Sequence, residues 1–372
     1  MSDYDAIVVG AGLAGATAAN LLADRGLRVL IVEKRQHLAG NCFDFKSADN
    51  ITIHRYGPHI FHTDAAAVWQ YLNRFGRFHD YQHRVLSYVN GEYLPFPINL
   101  DTVNHVFGTN LTSSELAEFF RCEVESATFN LPVQNFRDAV VSQVGERLYE
   151  LFFKNYTRKQ WQEDPEKIAA EVALRIPVRF DRDDRYFGDR FQGIPQEGYT
   201  QLVAKMLEHD NITLSLGVDY LAVKERWPTA LVVYTGKLDA FFGCRYGELG
   251  YRSVALRFEN LDCEYYQPAA VVNYPNDYEW TRTTEFKYFL AEKAAKTTVL
   301  FEHPSAEGEP FYVTLTAENI RKRACYLEDV RNLEATGRYL FVGRLAEYRY
   351  YNMDQVVAAA MEKIAAWSRV YG

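Results

Sequence analysis

Residues 9–15 read Val9-Gly10-Ala11-Gly12-Leu13-Ala14-Gly15, which is a G-x-G-x-x-G run. An apolar β run precedes it at residues 6–9, and residues 13–25 carry their apolar side chains at helical spacing. A second apolar run at residues 28–32 ends beside Glu33, near the spacing at which an acidic residue binds a ribose hydroxyl pair. The stretch therefore predicts a β-α-β unit that binds a dinucleotide. The alternative is a tight strand-to-helix turn in a Rossmann unit that binds nothing.

Each glycine of the run has its own physical role in such a site. Gly10 allows the tight turn, Gly12 lets the backbone approach a pyrophosphate, and Gly15 lets helix and strand pack closely. The helix N-terminus, which begins at Leu13, then faces the phosphates. NAD and FAD share this half-site, so the run alone does not choose between them.

A second strand–turn–helix pattern near the end of the chain favours FAD. Gly343 and Arg344 follow a buried apolar run at residues 339–343, and a helical pattern begins near Asn352 or Met353. This unit would suit the flavin end of a long cofactor. A simpler interpretation is that it forms the last strand and helix of the sheet.

Composition excludes several classes of protein. The 372 residues include 41 basic and 49 acidic side chains, and the net charge of −8 argues against a general nucleic-acid binder. The five cysteines are odd in number and widely spaced, which predicts reduced thiols and neither a disulfide framework nor a metal site. No signal peptide or membrane-spanning run is seen, so we expect a cytoplasmic protein without membrane insertion.

The pattern of elements indicates a mixed α/β protein of two or three domains. Residues 85–94 predict a hairpin with an Asn90-Gly91 turn, and residues 100–170 have helical patterns. Short strands dominate residues 211–320, and residues 354–368 form a closing helix. The domains are expected to interleave, with both chain ends meeting in one nucleotide-binding unit.

Several ordered segments resemble bacterial UDP-galactopyranose mutases. They include Leu38-Ala39-Gly40-Asn41, Tyr56-Gly57-Pro58-His59-Ile60-Phe61-His62-Thr63, Tyr156-Thr157-Arg158-Lys159-Gln160-Trp161, Arg175-Ile176-Pro177-Val178-Arg179-Phe180, Gln192-Gly193-Ile194-Pro195 and Gly343-Arg344-Leu345. The segments span nearly the whole chain, and several have no general meaning in Rossmann proteins.

The resemblance implies a mixed α/β fold in which a Rossmann-like FAD-binding domain carries an inserted helical bundle and an antiparallel β-sheet domain. The FAD-binding domain is expected to be discontinuous, from residues 1–80, 192–240 and 322–372. The helical domain would span residues 100–172. The sheet, or substrate, domain would be built from residues 81–99, 173–191 and 241–321.

The family interconverts UDP-galactopyranose and UDP-galactofuranose, a precursor of cell-surface polysaccharides. The resemblance implies FAD that is active when reduced and a covalent adduct between the flavin N5 atom and the sugar, with no net redox change. The expected partners are a UDP-galactose-type nucleotide sugar and a flavin-reducing system or NAD(P)H. Family members are often dimers, so a homodimer is one expectation.

The resemblance also implies site residues. Arg175, Arg282 and His62 match catalytic positions, the two arginines because a planar guanidinium binds a leaving diphosphate in a bidentate manner. The remaining expected substrate contacts are Phe152, Tyr156, Trp161, Tyr186, Glu302, Tyr312, Tyr350 and Asn352. The expected cofactor contacts are Gly10, Gly12, Leu13, Gly15, Glu33, Lys34, Gly40, Asn41, His59, His62, Gly343, Arg344 and Met353.

Departures from the family pattern concern the sugar more than the reaction. Asn352 stands where many members have Asp, and Ala39 replaces a glycine, which is tolerable where the local φ is negative. A mutase for a different pyranose nucleotide, such as a dTDP-deoxyhexose, therefore stays open. The residues are also compatible with a flavin oxidoreductase of the amine-oxidase type and with a nucleotide-binding sensor that lacks catalysis.

Overall fold

The computed structural model describes residues 4–175, 177–305, 308 and 310–371, and the side chains of Leu174 and Arg175 also lie outside the described part. Five strands form a parallel sheet in the order β10-β2-β1-β11-β17. Their bounds are β1 Ala6–Val9, β2 Val29–Glu33, β10 Ile212–Leu216, β11 Leu231–Tyr234 and β17 Tyr339–Phe341. The predicted Rossmann-like unit is thus confirmed, and its sheet contains segments from both ends of the chain.

Helices cover both faces of this sheet. The four main ones are α1 Leu13–Ala23, α7 Tyr199–Leu207, α10 Ala317–Glu334 and α11 Met353–Tyr371. Alternate strand residues point to opposite faces. Val8 belongs to the core shared with α1, α7 and α11, whereas Ile7 packs in the core that contains Tyr326 and Val330 of α10. The sequence pattern did not predict α10, in which three residues, Asn319, Tyr326 and Val330, are buried.

A seven-stranded sheet has the order β16-β12-β15-β14-β13-β7-β8. Its bounds are β7 Val85–Val89, β8 Glu92–Phe96, β12 Tyr251–Leu261, β13 Val271–Asn273, β14 Arg282–Glu285, β15 Thr297–Ser305 and β16 Tyr312–Val313. All pairs are antiparallel except β7 with β13. The sheet is therefore antiparallel as expected, with this one parallel pair formed by strands that lie far apart in the chain.

The segment between β8 and β12 begins with helices, as predicted. They are α3 Leu100–Phe107, α4 Ser113–Glu125, α5 Phe136–Leu148, a π-helix over Tyr149–Lys154, and α6 Asn155–Trp161. A capping box formed by Thr112 and Glu115 starts α4. Gly145 kinks α5 at φ 79°. After α5 the helical segment continues in π geometry over Tyr149–Lys154.

Smaller elements complete the fold. A three-stranded sheet has the order β5-β9-β6, and β3 pairs with β4. The bounds are β3 Asp44–Lys46, β4 Thr52–His54, β5 Phe61–Thr63, β6 Phe78–Asp80, β9 Phe191–Pro195, α2 Ala66–Asn73, α8 Tyr220–Val223 and α9 Leu238–Phe241, with 3₁₀ turns at Gly40–Cys42, Pro165–Lys167, Ala170–Arg175, Lys224–Arg226 and Phe286–Tyr288. The residue boundaries of the three domains stay a prediction.

Three composition-based expectations concern what the protein lacks. Across the described ranges, no helix is both long enough and apolar enough to cross a bilayer. The same residues contain no group of three or more His, Cys, Asp or Glu side chains that could hold a metal ion. All five cysteines are free thiols.

Ala39 adopts a backbone conformation that differs from the sequence-based expectation. Its φ is 66°, in the left-handed region, at the N-terminal end of the Gly40–Cys42 turn. The methyl group is tolerable at a negative φ, and that condition is not met here. A left-handed residue with a Cβ costs about 1–2 kcal/mol, so Ala39 is a strained position in the loop after β2.

Replacing Ala39 by glycine should therefore stabilise the protein. Relief of the strain exceeds the extra backbone entropy of glycine by about 0.5–1 kcal/mol, which should raise the midpoint of urea unfolding. Ala359→Gly, inside α11, is the matched control and should cost about 1 kcal/mol. Equal destabilisation by both substitutions would show that Ala39 is unstrained.

Candidate active site

The loop from β1 to α1 lets neighbouring atoms come close to its backbone, because its glycines have no side chains. Gly10 has φ 101°, and a Cβ placed there would lie 2.3 Å from Thr235 Oγ1. A Cβ on Gly15 would lie 1.8 Å from the Gly10 carbonyl oxygen, so helix and strand meet here without side chains. Among the described residues no side chain caps α1 at Gly12, which leaves this positive helix end for an anion. The loop thus fits a dinucleotide pyrophosphate.

Glu33 and the loop that follows β2 support the same site. The Glu33 carboxylate is buried and accepts hydrogen bonds from the backbone amides of Ala11 (2.8 Å) and Arg35 (2.8 Å). Each carboxylate oxygen retains a further acceptor position. The Ala39 amide donates to the Ala11 carbonyl at 2.9 Å, and a Cβ on Gly40 would come within 3.1 Å of the Gly12 Cα. The two loops therefore pack backbone to backbone.

A large cavity of about 1820 Å³ contains most of the other predicted site residues. From the cofactor set it is lined by Asn41, His59, His62, Arg344 and Met353, and from the substrate set by Phe152, Tyr156, Trp161, Tyr186, Arg282, Glu302, Tyr312, Tyr350 and Asn352. Pockets for one small molecule usually measure about 300–1,000 Å³. This cavity is large enough to hold a cofactor ring and a nucleotide sugar together.

A bidentate charge pair in the cavity joins neighbouring strands. Arg282 of β14 lies directly opposite Glu302 of β15. Its Nε donates to Glu302 Oε1 at 3.0 Å and its Nη2 to Oε2 at 2.8 Å. Burial opposes the guanidinium charge, but the adjacent Glu302 carboxylate outweighs it and raises the pKa of Arg282 well above its usual value. The remaining N–H groups of this fixed cation are available to an anion.

Two tyrosines and a second arginine lie beside this pair. The rings of Tyr312 and Tyr350 stack with centroids 6.0 Å apart and planes at 15°. The Arg344 guanidinium lies 5.1 Å from the Tyr350 ring centre, and it donates to the carbonyls of Tyr351 and Phe311. Burial raises the pKa of Tyr312 to about 12. Its hydroxyl therefore stays neutral at physiological pH and can donate a hydrogen bond.

The aromatic wall of the cavity comes from the π-helix and α6. Phe152 lies in the π-helix and Tyr156 in α6, so the two are separated by a change of helix type and still line the same cavity. Trp161 is the last residue of α6, whereas the sequence pattern predicts it on the following loop. The carbonyl of Trp161 accepts from Arg252 Nη2 at 2.5 Å, and Arg252 Nη1 donates to Gln162 Oε1 at 3.1 Å.

Three residues that the sequence patterns do not reveal surround His62. Asp189 Oδ2 lies 2.9 Å from His62 Nδ1, and the Phe187 ring stacks on the imidazole at 3.7 Å and 11°. The carboxylate selects the tautomer with a proton on Nδ1. His83 stacks against the same Phe187 at 5.8 Å. Asp189 and Phe187 fall between the family-like segments, and no motif contains the lone His83.

Burial holds two histidines of the cavity in the neutral form. It lowers the pKa of His59 to about 3, and the His59 ring shares a hydrogen bond with the Gly57 carbonyl at 2.9 Å. It also lowers the pKa of His83 to about 3, where Arg282 adds to the effect. The imidazoles of both residues are therefore uncharged at neutral pH.

Some predicted residues lie elsewhere. The Arg175 side chain is outside the described residues, although its backbone ends the Ala170–Arg175 turn. Lys34 is exposed and does not line the cavity. Leu13 is buried at the start of α1. Gly343 has φ 105°, and a Cβ there would lie 3.1 Å from the Ala14 Cβ. The turn after β17 therefore packs closely against α1.

Two family models match the chain. The model described as UDP-galactopyranose mutase covers residues 151–350. The model of the NAD(P)-binding Rossmann-like domain covers residues 8–75, which contain the glycine loop and Glu33. The matched regions carry the aromatic and cationic walls of the cavity and the dinucleotide loop, respectively.

Relatives match over almost the full length. A probable UDP-galactopyranose mutase of Klebsiella pneumoniae is 37% identical over 369 residues, covering 97% of this chain and 94% of the relative. A dTDP-fucopyranose mutase of Escherichia coli is 36% identical over 370 residues, covering 96% of each chain. A structure of reduced UDP-galactopyranose mutase superposes with a TM-score of 0.76 at 15% identity, covering 99% and 96%, and supports the fold alone.

Removing the Glu302 carboxylate should destabilise the protein strongly. Glu302→Ala leaves the Arg282 guanidinium, which is 27% exposed, without its partner. The expected loss is about 3 kcal/mol, the lower end for a broken buried pair. Glu259→Ala breaks an exposed pair with Arg257 on neighbouring β12 and should cost less than about 1 kcal/mol. Urea unfolding compares the two, and equal losses would contradict a buried pair.

Proposed function

The chain belongs to the UDP-galactopyranose mutase family, and we propose that it interconverts UDP-galactopyranose and UDP-galactofuranose without net redox change. As a member of this family it is an isomerase, and the family together with the Rossmann-like unit indicates FAD as its cofactor. We further propose that it supplies a precursor of cell-surface polysaccharide in the cytoplasm. A flavin-reducing system or NAD(P)H would keep the cofactor reduced, and the homodimer stays a proposal.

One observation carries the proposal. The same cavity is lined by Arg344 and Met353, which follow the last strand of the Rossmann-like sheet, and by Tyr156 and Arg282 on the opposite wall. A cofactor and a nucleotide sugar can therefore meet inside it. When bound, reduced FAD would supply a nucleophilic N5 atom that holds the sugar covalently while UDP is detached.

The residues of the chain would then hold what the reaction releases and rearranges. We assign the free N–H groups of Arg282 to the diphosphate, with the hydroxyls of Tyr312 and Tyr350 as further donors. Arg175 has the same role by resemblance. A fixed cation stabilises the charge that develops on the leaving diphosphate, because it does not need to reorganise during the reaction.

The aromatic wall would bind the base. Phe152 is buried and Tyr156 half-buried in the cavity, and burial raises the pKa of Tyr156, so its ring stays neutral and can stack on a pyrimidine. Trp161 would close over the substrate and exclude water. We assign His62, oriented by Asp189, and Arg344 to the flavin, where a cation favours the anionic reduced ring.

A mutase for dTDP-fucopyranose is the second candidate. The E. coli dTDP-fucopyranose mutase matches this chain at 36% identity, against 37% for the Klebsiella relative, so overall similarity does not separate the two substrates. Asn352, which lines the cavity where many members have Asp, is the residue through which the sugar preference would differ.

Anaerobic turnover tests the proposal directly. Dithionite-reduced protein should convert UDP-galactofuranose to UDP-galactopyranose, detected by chromatography, with many product molecules formed per electron pair. The oxidised protein is the control and should be inactive. A product ratio near one per electron pair would instead identify a flavin oxidoreductase. Faster conversion of dTDP-fucofuranose in the same assay would select the second candidate.

Truncating Arg282 should reduce this turnover without removing FAD. We expect Arg282→Ala to lower kcat/KM at least about 100-fold, as is typical when an electrostatic contact to the transition state is lost. We expect the same of Arg175→Ala. Arg257→Ala, an exposed arginine on β12, is the matched control and should retain normal turnover. Near-normal activity of Arg282→Ala would refute its assignment to the diphosphate.

A further inference from the structure

Lys159 makes an unusual set of contacts next to the candidate active site. It lies in α6, three residues after Tyr156 and two before Trp161. Its Nζ donates to the backbone carbonyls of Tyr278 (2.9 Å), Trp280 (3.1 Å) and Asn276 (3.4 Å), and closely to that of Tyr274. Four carbonyl oxygens thus surround one ammonium group, which has its three N–H donors only while it carries its charge.

These carbonyls belong to the turn that connects β13 with β14. Residues 274–281 form the turn, whose base is closed by the Tyr274 amide donating to the Thr281 carbonyl at 2.8 Å. The next residue in the chain is Arg282. Any displacement of this turn therefore moves the point from which the Arg282 side chain enters the cavity.

Asn276 makes a second connection between the same two elements. Its Nδ2 donates to the Leu151 carbonyl at 3.1 Å in the π-helix, and its Oδ1 accepts from Asn155 Nδ2 at 3.0 Å. The Thr281 hydroxyl also lies 3.4 Å from Gln160 Oε1. Side chains of the turn and of the helical segment therefore both contribute hydrogen bonds between the two elements, so Lys159 is not their single connection.

Each of the two elements carries part of the cavity lining. The helical segment supplies Phe152, Tyr156 and Trp161, and the turn leads into Arg282. One bound nucleotide that stacks its base on the aromatic residues and places its diphosphate at Arg282 needs these two parts of the lining at a set separation. A small displacement of either wall would weaken both contacts together.

We propose that Lys159, with Asn276, is a positioning residue that holds the aromatic wall at a fixed separation from Arg282. The proposal rests on the proposed function, since it takes a nucleotide diphosphate as the ligand of the cavity. Neither residue lines the cavity itself, so they act through the residues that do. Burial lowers the pKa of Lys159 to about 8, which still leaves the ammonium charged at neutral pH.

The test compares Lys159→Met with Lys154→Met in the FAD-loaded protein. Lys154 is a matched control because it lies one turn earlier and its ammonium contacts the Glu150 carboxylate instead of carbonyls. We expect Lys159→Met to weaken UDP binding in calorimetry about tenfold, the loss typical of one charged contact. KM should rise by a similar factor while kcat changes less than about threefold, and the control should match wild type.

Asn276→Ala provides an independent variant if Lys159→Met fails to retain FAD. It should weaken UDP binding in the same direction, and the double variant should lose less than the product of the two single losses, because both contacts hold one turn. Unchanged UDP affinity in both single variants, or a loss of kcat at constant KM, would overturn the positioning role.

Hydrogen exchange separates the failure of this proposal from the failure of the proposed function. Backbone amides of residues 274–281 should exchange faster in Lys159→Met and in Asn276→Ala than in wild type or Lys154→Met. Unchanged exchange would overturn the connection whether or not any nucleotide binds. Faster exchange in the two variants, together with a wild-type protein that binds neither UDP nor dTDP, would instead refute the nucleotide site, and with it the positioning role.

Discussion

The parallel pairing of β1 with both β2 and β11 is the constraint on which the site depends. It sets β1 and β2, which are neighbours in the sequence, beside β11 from the second half of the chain, with the carboxyl ends of all three at one edge. Thr235 follows β11 at that edge, and its hydroxyl donates to the Val9 carbonyl at 2.6 Å. Gly10 must lack a side chain because Thr235 occupies the space that a Cβ would need. The cofactor loop is thus shaped by the pairing as well as by its own glycines.

Local signals were sufficient for much of the fold. The strand at Ala6–Val9 was predicted with the observed bounds, because a short, buried, apolar run has few alternative structures. The hairpin turn at Asn90 and Gly91 was also correct, since both residues adopt the positive φ that such a turn requires. Signals of this kind act within a few residues and need no knowledge of the tertiary structure.

Features that arise from distant contacts were missed. Helix α10 carries few buried apolar residues, so its periodicity is weak, and the sheet below it supplies the stabilisation. The partner of His62 is Asp189, 127 residues later in the chain. The positive φ of Ala39 depends on packing against the glycine loop, and alanine itself gives no sign of it. Most of the residues that the resemblance named line the cavity, but only the folded structure shows which of them are in contact.

Electrostatics explains how a cavity lined by many aromatic side chains can still select an anionic ligand. Burial keeps the nearby His59, His83 and Tyr312 neutral, so they add no charge that would compete for an anion. Arg282 is held by a carboxylate on the adjacent strand, and strand register fixes that pair more rigidly than a loop could. The sheet therefore sets the direction of the Arg282 guanidinium. In the proposal above, the turn that Lys159 contacts sets its distance from the aromatic wall. A Rossmann-like unit can present a flavin to many reactions; the geometry of the opposite wall decides which substrate can reach it.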